Sequence, residues 1–213
     1  MGPWQLRAIH ALDRLRFDLF RRRFGDALRV DPSASPNLRL AHLRIEPGGR
    51  VEIGARFATE RQPGNHLWVQ AGGTLQIGDD VWLRTEHEQN RLTVFPGGRI
   101  RLGDRALLNG AMLHSKGTIE IGEDSMLGFG SRIFDSDLHP LDVSTPERVD
   151  QVRIGARVWV GSDVTILRGV TIGDDVAIGA HSVVTRDLPA KVLAVGAPAK
   201  PIRAIDRRPT LPE

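Results

Sequence analysis

The sequence of 213 residues contains neither cysteine nor tyrosine, and aromatic residues make up only 5% of it. The absence of cysteine excludes disulfide bonds, thiolate metal sites and a thiol nucleophile. With so few aromatic side chains, we expect an aliphatic core. No apolar run reaches the ~20 residues of a membrane-spanning helix, and no secretory signal pattern is present before Arg7 or Asp13. We therefore expect a cytoplasmic protein.

Lysine is also scarce, since only Lys116, Lys191 and Lys200 are present, and the formal net charge is +3. Few groups in such a chain titrate between about pH 8 and 10, so the sequence pI of about 10.1 overstates its basic character. Seven Arg and three Asp fall within residues 1–30, which concentrates the positive charge there. The rest of the chain has no basic excess, and we expect no nucleic-acid partner.

An aliphatic residue recurs at every sixth position in the C-terminal half of the chain. A helix turns by ~100° per residue and would spread such a series over three faces. Alternating apolar and polar residues, with glycine after most of the main aliphatic positions, indicate short strands joined by turns. The period predicts a parallel β-sheet that coils on itself. A companion series runs two residues ahead, from Val152 to Val176, and the main series consists of Ile154, Val160, Ile166, Ile172, Ile178 and Val184.

Four looser copies of one unit extend this repeat towards the N-terminus. They end at Gly54, Gly78, Gly103 and Gly122, with spacings of 24, 25 and 19 residues. Unequal spacings indicate that these earlier coils carry short insertions. We therefore expect a coiled domain over residues 32–203, followed by a C-terminal tail over residues 204–213.

Residues 1–31 follow a helical pattern instead, with Ala8, Leu12, Leu15 and Leu19 at helical spacing and arginines on the other side. We expect an amphipathic helix that packs on the first coil and covers the open end of the stack. The alternative is a helix that lies on a membrane surface, which would place the protein at the inner face of the membrane.

The six-residue repeat breaks between Ile133 and Ile154, which are 21 residues apart. The change of phase predicts a protruding loop near residues 134–151. Catalytic residues are often carried on loops that a rigid scaffold holds in place. This loop contains the sequence Asp135-Ser-Asp137-Leu-His139-Pro-Leu-Asp142, which makes it the first candidate for chemistry.

Residues 119–203 resemble the left-handed β-helix acyltransferases of the hexapeptide-repeat superfamily, and most of all the bacterial sugar O-acetyltransferases of the maltose, galactoside and surface-polysaccharide branches. The likeness lies in the [Ile/Val]-Gly hexads, the Asp137-Leu-His139-Pro loop and the ending Val195-Gly-Ala-Pro-Ala-Lys-Pro-Ile-Arg203. It implies an all-β, left-handed parallel β-helix that moves an acetyl group from acetyl-CoA to a hydroxyl of a sugar or surface-glycan precursor. It also implies a homotrimer whose active sites each use two chains.

The resemblance implies that His139 is the general base, and an imidazole with an ordinary pKa of ~6.5 suits that task. Asp137, or alternatively Asp135, would hold the imidazole tautomer. A surface position for either carboxylate is the competing interpretation. Asn109 and Asp135 would contact the acceptor. Galactoside-type enzymes have an acidic acceptor residue where this chain has Ser115 and Lys116, which leaves the acceptor open.

The resemblance also assigns residues to CoA. Cations would bind its phosphates, and backbone N–H groups near Ser162 would stabilise the thioester oxyanion. The expected donor-side residues are Trp159, Gly161 and Ser162 along the pantetheine arm, Ala180, Thr185 and Pro198 further along, and Arg186, Lys200 and Arg203 at the phosphates.

Other functions stay open at this point. One is N-acetylation of an amino sugar or another amine, and a second is a non-catalytic β-helix scaffold. A third is a zinc carbonic anhydrase, which needs three converging histidines. Because His114 and His139 are 25 residues apart with no close neighbour, we expect no metal site.

Overall fold

A computed structural model describes residues 3–210 of the chain. It contains one long helix, α1 (Pro3–Arg22), two short 3-10 turns at Gly25–Ala27 and Pro36–Leu40, and three β-sheets whose strands are parallel except for the final pair. Successive strands of the chain fall in different sheets, and each sheet receives one strand per coil. The result is a three-sided β-helix, as the six-residue period predicts.

Sheet A and sheet B each contain seven strands, all of them parallel. In spatial order, sheet A consists of β1 (Leu28–Val30), β3 (Arg50–Ile53), β6 (Thr74–Ile77), β9 (Arg99–Leu102), β12 (Thr118–Ile121), β15 (Val152–Ile154) and β18 (Thr171–Ile172). Sheet B consists of β2 (His42–Ile45), β5 (His66–Val69), β8 (Arg91–Val94), β11 (Met112–Ser115), β14 (Arg132–Phe134), β17 (Thr165–Ile166) and β20 (Val183–Val184).

Sheet C is the longest and ends in an antiparallel hairpin formed by its last two strands. In spatial order it consists of β4 (Ala58–Thr59), β7 (Trp82–Arg84), β10 (Leu107–Asn109), β13 (Met126–Leu127), β16 (Trp159–Val160), β19 (Ala177–Ile178), β21 (Val192–Gly196) and β22 (Ala199–Ala204). Within each coil the chain runs from sheet B to sheet A, then to sheet C and back to sheet B.

The core is a column of aliphatic side chains that point inwards from all three sheets. Strand β6 shows the alternation, since Leu75 and Ile77 are 0% and 4% exposed while Thr74 and Gln76 lie half-buried outside. Both aliphatic series of the C-terminal half are buried in this column. The all-β fold, its repeat and its protruding loop are therefore confirmed.

The corners between sheets leave no room for side chains where coils stack closely. A Cβ atom on Gly161 would lie 2.8 Å from the backbone N of Ala180 and 2.8 Å from the carbonyl oxygen of Ile178. Contacts this short force the backbone to shift, so the stacking distance requires glycine there.

Helix α1 packs on the first coil through a face other than the leucine stripe. Phe17 is 1% exposed and Asp13 is 5% exposed, and Asp13 pairs with Arg39 at 2.8 Å and with Arg61 at 3.0 Å. The stripe of Leu12, Leu15 and Leu19 is 46%, 57% and 55% exposed. The side chain of Ala8, the first member of that predicted stripe, lies outside the described residues. No helix within residues 3–210 is long and apolar enough to cross a membrane.

Candidate active site

The predicted site residues lie at two different corners of the three-sided β-helix. The loop of residues 134–151 leaves between β14 and β15, at the corner that joins sheet B to sheet A. Asn109, Ser162 and Ala180 lie at the ends of sheet C strands, at the corner that joins sheet C to sheet B. We call these the loop corner and the glycine corner.

Asp135 closes the base of the protruding loop. Its side chain is fully buried and accepts hydrogen bonds from Ser115 Oγ at 2.6 Å, Lys116 N at 2.8 Å and Gly117 N at 2.9 Å. At the returning end of the loop, Asp150 N donates to the Asp135 carbonyl at 2.8 Å. Because three donors occupy the carboxylate, it fixes the path of the chain into the loop.

Lys116 holds the segment directly before His139. Its Nζ donates to the carbonyl of Leu138 at 3.0 Å and pairs with Glu147 across the loop at 2.8 Å. Leu138 has φ of 66°, a left-handed conformation that a branched side chain adopts only where its surroundings impose it. The ammonium group therefore stabilises a strained turn from which His139 follows.

Asp137 is bound on the outer side of the loop. Its carboxylate pairs with Arg168 Nε at 2.5 Å and accepts from Arg148 N at 3.3 Å. The hydrogen bond from Arg168 holds the pKa of Asp137 below its ordinary value. Arg168 also pairs with Asp150 at 2.6 Å, so one guanidinium ties both ends of the loop to the next coil.

His139 itself is exposed, and within the described residues its imidazole makes no hydrogen bond or ion pair. The oxygens of Asp135 and Asp137 are bonded to other groups, and neither carboxylate bonds to the imidazole here. The roles of His139 as base and of Asp137 as its partner stay predictions. The structure shows an exposed imidazole on a loop that hydrogen bonds and ion pairs hold to the neighbouring coils.

The glycine corner stacks predicted acceptor and donor residues in one column. Gly130 N donates to Gly110 O, Asp163 N to Phe129 O and His181 N to Ser162 O. These bonds set Gly110, Phe129, Ser162 and Ala180 at successive levels, ~5 Å apart, and Asn109 directly precedes the first of them. The structure thus brings Asn109, Ser162 and Ala180 together, while His139 belongs to the other corner of the same chain.

Backbone donors remain free in this column. Within residues 3–210, the N–H groups of Ser162 and Ala180 have no protein acceptor. At the corner between sheets A and C the equivalent groups are capped, as where Ala156 N donates to Asp174 Oδ1 at 2.9 Å. Free N–H groups on a rigid backbone are suited to bind an oxyanion or a carbonyl oxygen.

Asn109 has an unsatisfied side chain. The residue is 7% exposed, and its buried Oδ1 has no hydrogen-bond partner within the described part of the chain. Buried polar atoms without partners are rare and costly. An amide oxygen in this state can accept from a hydroxyl or amine of a bound molecule.

The donor-side predictions follow one row across the outer face of sheet C. Trp159, Ala177, Leu193 and Arg203 are neighbours in register, so Trp159 and Arg203 lie three strands, ~14 Å, apart. Trp159 is 45% exposed. Lys200 lies on the same final strand, and the described residues contain no carboxylate paired with Lys200 or Arg203.

The remaining donor-side residues are more scattered. Pro198 lies in the turn of the final hairpin, while Thr185 and Arg186 follow β20 at the loop corner. Gly161 is buried beneath Ala180. One chain therefore does not bring Arg186 beside Lys200 and Arg203.

Lys116, Glu147 and Arg168 hold the protruding loop through their side chains, and we call them the loop clamp. The sequence does not predict any of the three as a site residue. Their contacts join positions 22 and 31 residues apart. The one available signal is the rarity of lysine, since Lys116 is one of three. Within the described residues no group of three or more His, Asp or Glu side chains is arranged to hold a metal ion.

Comparison with known sequences connects the chain to transferases. Residues 151–186 match the bacterial transferase hexapeptide family of six repeats. A probable acetyltransferase of Mycobacterium tuberculosis is 32% identical over 172 residues, which are 78% of this chain and 53% of the relative. A putative acetyltransferase of Schizosaccharomyces pombe is 44% identical over 92 residues, which are 41% of this chain and 44% of the relative. The chain thus spans about half the length of these relatives.

Solved structures show the same fold. The polysialic acid O-acetyltransferase OatWY superimposes with a TM-score of 0.61 at 23% identity, covering 87% of this chain and 88% of that one. The polysialic-acid-specific acetyltransferase NeuO gives 0.56 at 22%, covering 88% and 90%. A maltose O-acetyltransferase of Clostridium difficile gives 0.50 at 24%, covering 92% and 88%. These likenesses identify the coil as a left-handed β-helix.

Proposed function

We propose that this β-helical chain, whose residues 151–186 match the bacterial transferase hexapeptide family, transfers an acetyl group from acetyl-CoA to a hydroxyl of a sugar or surface-glycan precursor. Acetyl transfer is supported by the relatives that are described as acetyltransferases. The hydroxyl acceptor is supported by the likeness of the histidine loop to the O-acetylating branch.

The observation that carries this proposal is the state of His139. The loop that carries His139 is held by the buried carboxylate of Asp135, by Lys116 and by Arg168. The imidazole itself has no hydrogen-bond or ion-pair partner among the described residues. A structural histidine would be expected to use its nitrogens in the fold. A free imidazole on a fixed support is suited to take a proton from a substrate.

The reaction follows from this geometry as direct transfer. His139 takes the proton of the acceptor hydroxyl while that oxygen attacks the acetyl carbonyl carbon of the thioester. The N–H groups of Ser162 and Ala180 stabilise the resulting oxyanion. The C–S bond then breaks, and the imidazolium returns its proton to the thiolate of CoA. An acyl-cysteine route is excluded because the chain has no cysteine.

The row from Trp159 to Arg203 on sheet C is the proposed binding surface for acetyl-CoA. Trp159 is 45% exposed, with Arg208 5.2 Å from its ring centroid, and offers an apolar surface for the pantetheine arm. The cations of Lys200 and Arg203 lie at the end of the row without carboxylate partners among the described residues. Phosphate oxygens are natural ligands for such cations. Pro198 adjoins this row, whereas Thr185 and Arg186 would reach the proposed donor site from the loop corner of a second chain.

The placement of His139 and Ser162 at different corners supports an active site shared between two chains. The loop corner of one protomer would face the glycine corner of its partner in a homotrimer. Asn109 would then accept from the acceptor molecule close to the oxyanion donors. N-acetylation of an amino sugar remains the second candidate, because a free imidazole serves an ammonium acceptor equally well.

A peripheral membrane contact is proposed for α1. Leu12, Leu15 and Leu19 are exposed, and Arg16, Arg22 and Arg23 are also exposed along the helix. An apolar stripe flanked by arginines suits an anionic lipid surface, which would hold the protein at the inner face of the membrane. Co-sedimentation with phosphatidylglycerol vesicles tests this contact, and an Leu15→Ser, Leu19→Ser variant should lose it.

Calorimetry with acetyl-CoA tests the main proposal first. We expect binding by the native chain and its loss in an Arg186→Glu, Lys200→Glu variant. Release of CoA onto sugar acceptors can then be followed with a thiol reagent, to which the cysteine-free chain contributes no background. A folded protein that binds no acetyl-CoA would refute the acetyltransferase function and favour a scaffold.

A further inference from the structure

The outer face of sheet B carries a cavity that the proposed chemistry does not use. Its volume is about 460 Å³, and it lies over strands β2, β5, β8 and β11. The side chains that matter there are His42, Arg44, His66, Trp68, Arg91 and His114. Clefts that bind small molecules combine aromatic walls with a few polar groups in this way.

Strand register orders these side chains into a path. Trp68 is the neighbour of Thr93, Thr93 of His114, and His114 of Phe134. Trp68 and Phe134 are therefore three strands, ~14 Å, apart on one face. Phe134 opens the protruding loop, and Lys116, which follows β11, contacts the residue next to His139. The path thus leads from the cavity to the proposed base.

The aromatic groups along the path are partly open. Trp68 is 37% exposed, although its Nε1 donates to Glu46 at 3.0 Å and Arg44 lies 4.8 Å from its ring centroid. His42 and His66 stack with their centroids 4.6 Å apart. Flat, rigid surfaces of this kind pack well against the C–H faces of sugar rings at low entropic cost.

The polar groups along the path match hydroxyls. Burial lowers the pKa of His66 and of His114, so each imidazole is neutral near pH 7. A neutral imidazole has one donor and one acceptor, and His66 already uses one of them in a hydrogen bond with Gln89. The Nδ1 atom of His114 is buried without a hydrogen-bond partner in the described structure. His114 lies between Phe95 and Phe134, with ring centroids 6.0 Å and 5.7 Å away.

Positive charge predominates on this face. The strands of sheet B contain no Asp or Glu, and within residues 3–210 neither Arg91 nor Arg132 has an ion-pair partner. The adjacent Glu46 is already paired with Arg44 at 3.1 Å. The unpaired guanidinium groups of Arg91 and Arg132 are complementary to a ligand that carries carboxylates or phosphates.

We propose that the outer face of sheet B binds the acceptor, and that this acceptor is an acidic oligosaccharide. One sugar ring stacks on Trp68, an acidic substituent pairs with Arg91, and the following units extend along the path towards His139. This assignment rests on the proposed acetyl transfer and specifies its substrate class. It explains why a cavity on the early coils connects to a loop on a later coil.

The chain contains a matched control for Trp68. On sheet C, Trp82 is 39% exposed, its Nε1 donates to Glu60 at 3.0 Å and Arg84 lies 4.8 Å from its ring. The two tryptophans have the same exposure and the same partners in kind. If these groups only stabilise the coils, replacing either tryptophan will have the same effect.

Calorimetry on the full chain without acetyl-CoA tests the assignment, with tetragalacturonate as the acidic probe and maltotetraose as the neutral one. We expect the acidic probe to bind more tightly, and Trp68→Ala and Arg91→Gln each to weaken it about tenfold or more. Trp82→Ala should change its affinity less than about twofold. Arg91→Gln should also remove the preference for the acidic probe.

Equal affinities for the two probes, or equal effects of the two tryptophan variants, would overturn the assignment. So would a smaller sedimenting species for Trp68→Ala, which would show that this face is a contact between chains. Calorimetry with acetyl-CoA on the same samples separates the two proposals. Acetyl-CoA binding without glycan binding overturns only the glycan site, whereas the reverse result supports that site and refutes acetyl transfer.

Discussion

The loop corner and the glycine corner serve one proposed reaction by opposite structural means. At the loop corner, side chains do the positioning, through Asp135, Lys116 and Arg168. At the glycine corner, backbone atoms do it, and the chain offers the free N–H groups of Ser162 and Ala180 on a rigid ladder. The first corner should respond to changes of charge and pH. The second should respond to changes of volume.

The largest expected effect is the loss of the base at the loop corner. His139→Ala should lower kcat by about 10²–10⁴-fold, the range for removal of a general base. The melting temperature should stay unchanged, because the exposed imidazole makes no hydrogen bond or ion pair within the described residues. Steady-state assays of CoA release and a thermal melt measure both quantities. A small drop in kcat would assign the proton transfer to another group.

The next largest effect is expected when side-chain volume is added at the glycine corner, and it is a loss of stability. Gly161→Ala places a Cβ 2.8 Å from two backbone atoms of the next coil, which should cost about 2–3 kcal/mol of the free energy of unfolding. Gly97 is the matched control, since a Cβ there meets nothing within 4 Å and only its φ of 72° opposes alanine, at about 1 kcal/mol. Urea denaturation of both variants measures the difference. Equal losses would show that stacking does not constrain this corner.

These two corners also show how far the sequence alone can predict the molecule. The six-residue period determines the coil, because an inward aliphatic at each turn is a local and repeated requirement. The break between Ile133 and Ile154 locates the loop for the same reason. The clamp is different in kind, since Lys116 and Leu138 meet only after the loop has folded back over 22 residues. No local pattern encodes that meeting.

Helix α1 illustrates the same limit. A stripe of leucines normally marks the buried face of a helix, but here Phe17 and Asp13 take that place. Asp13 is fixed by arginines 26 and 48 residues away, and such partners are visible only in three dimensions. In the proposed homotrimer, His139 and Ser162 would meet only across two chains, and neither the six-residue period nor the single chain encodes that meeting.

Removing the Lys116 contacts of the loop clamp should have an intermediate effect on kcat. Lys116→Met removes the hydrogen bond to the Leu138 carbonyl and the pair with Glu147 while it keeps the length of the side chain. We expect kcat to fall about tenfold with little change in the KM for acetyl-CoA, because misplacement of a base affects the transition state more than donor binding. Lys191→Met, at an exposed lysine, serves as control. A change in KM alone would contradict a positioning role.

The smallest effect is expected from the ion pair between Asp137 and Arg168, and it depends on pH. Arg168 lowers the pKa of Asp137 in the folded chain, so the pair's contribution is present above the unfolded value of ~3.9 and is lost as pH falls through the lowered value. In Arg168→Gln the Asp137 pKa should return towards ~3.9. Carbon NMR of the Asp137 carboxyl measures its titration directly in the native chain and in Arg168→Gln. Proteolysis of the 134–151 loop by an acid-active protease should then depend less on pH in the variant, because the pair is absent at every pH. A pair limited to the exposed surface would be screened by salt, so the two titrations should converge in high salt. Gly161→Ala should show no such salt dependence, because its cost arises from backbone overlap rather than from charge.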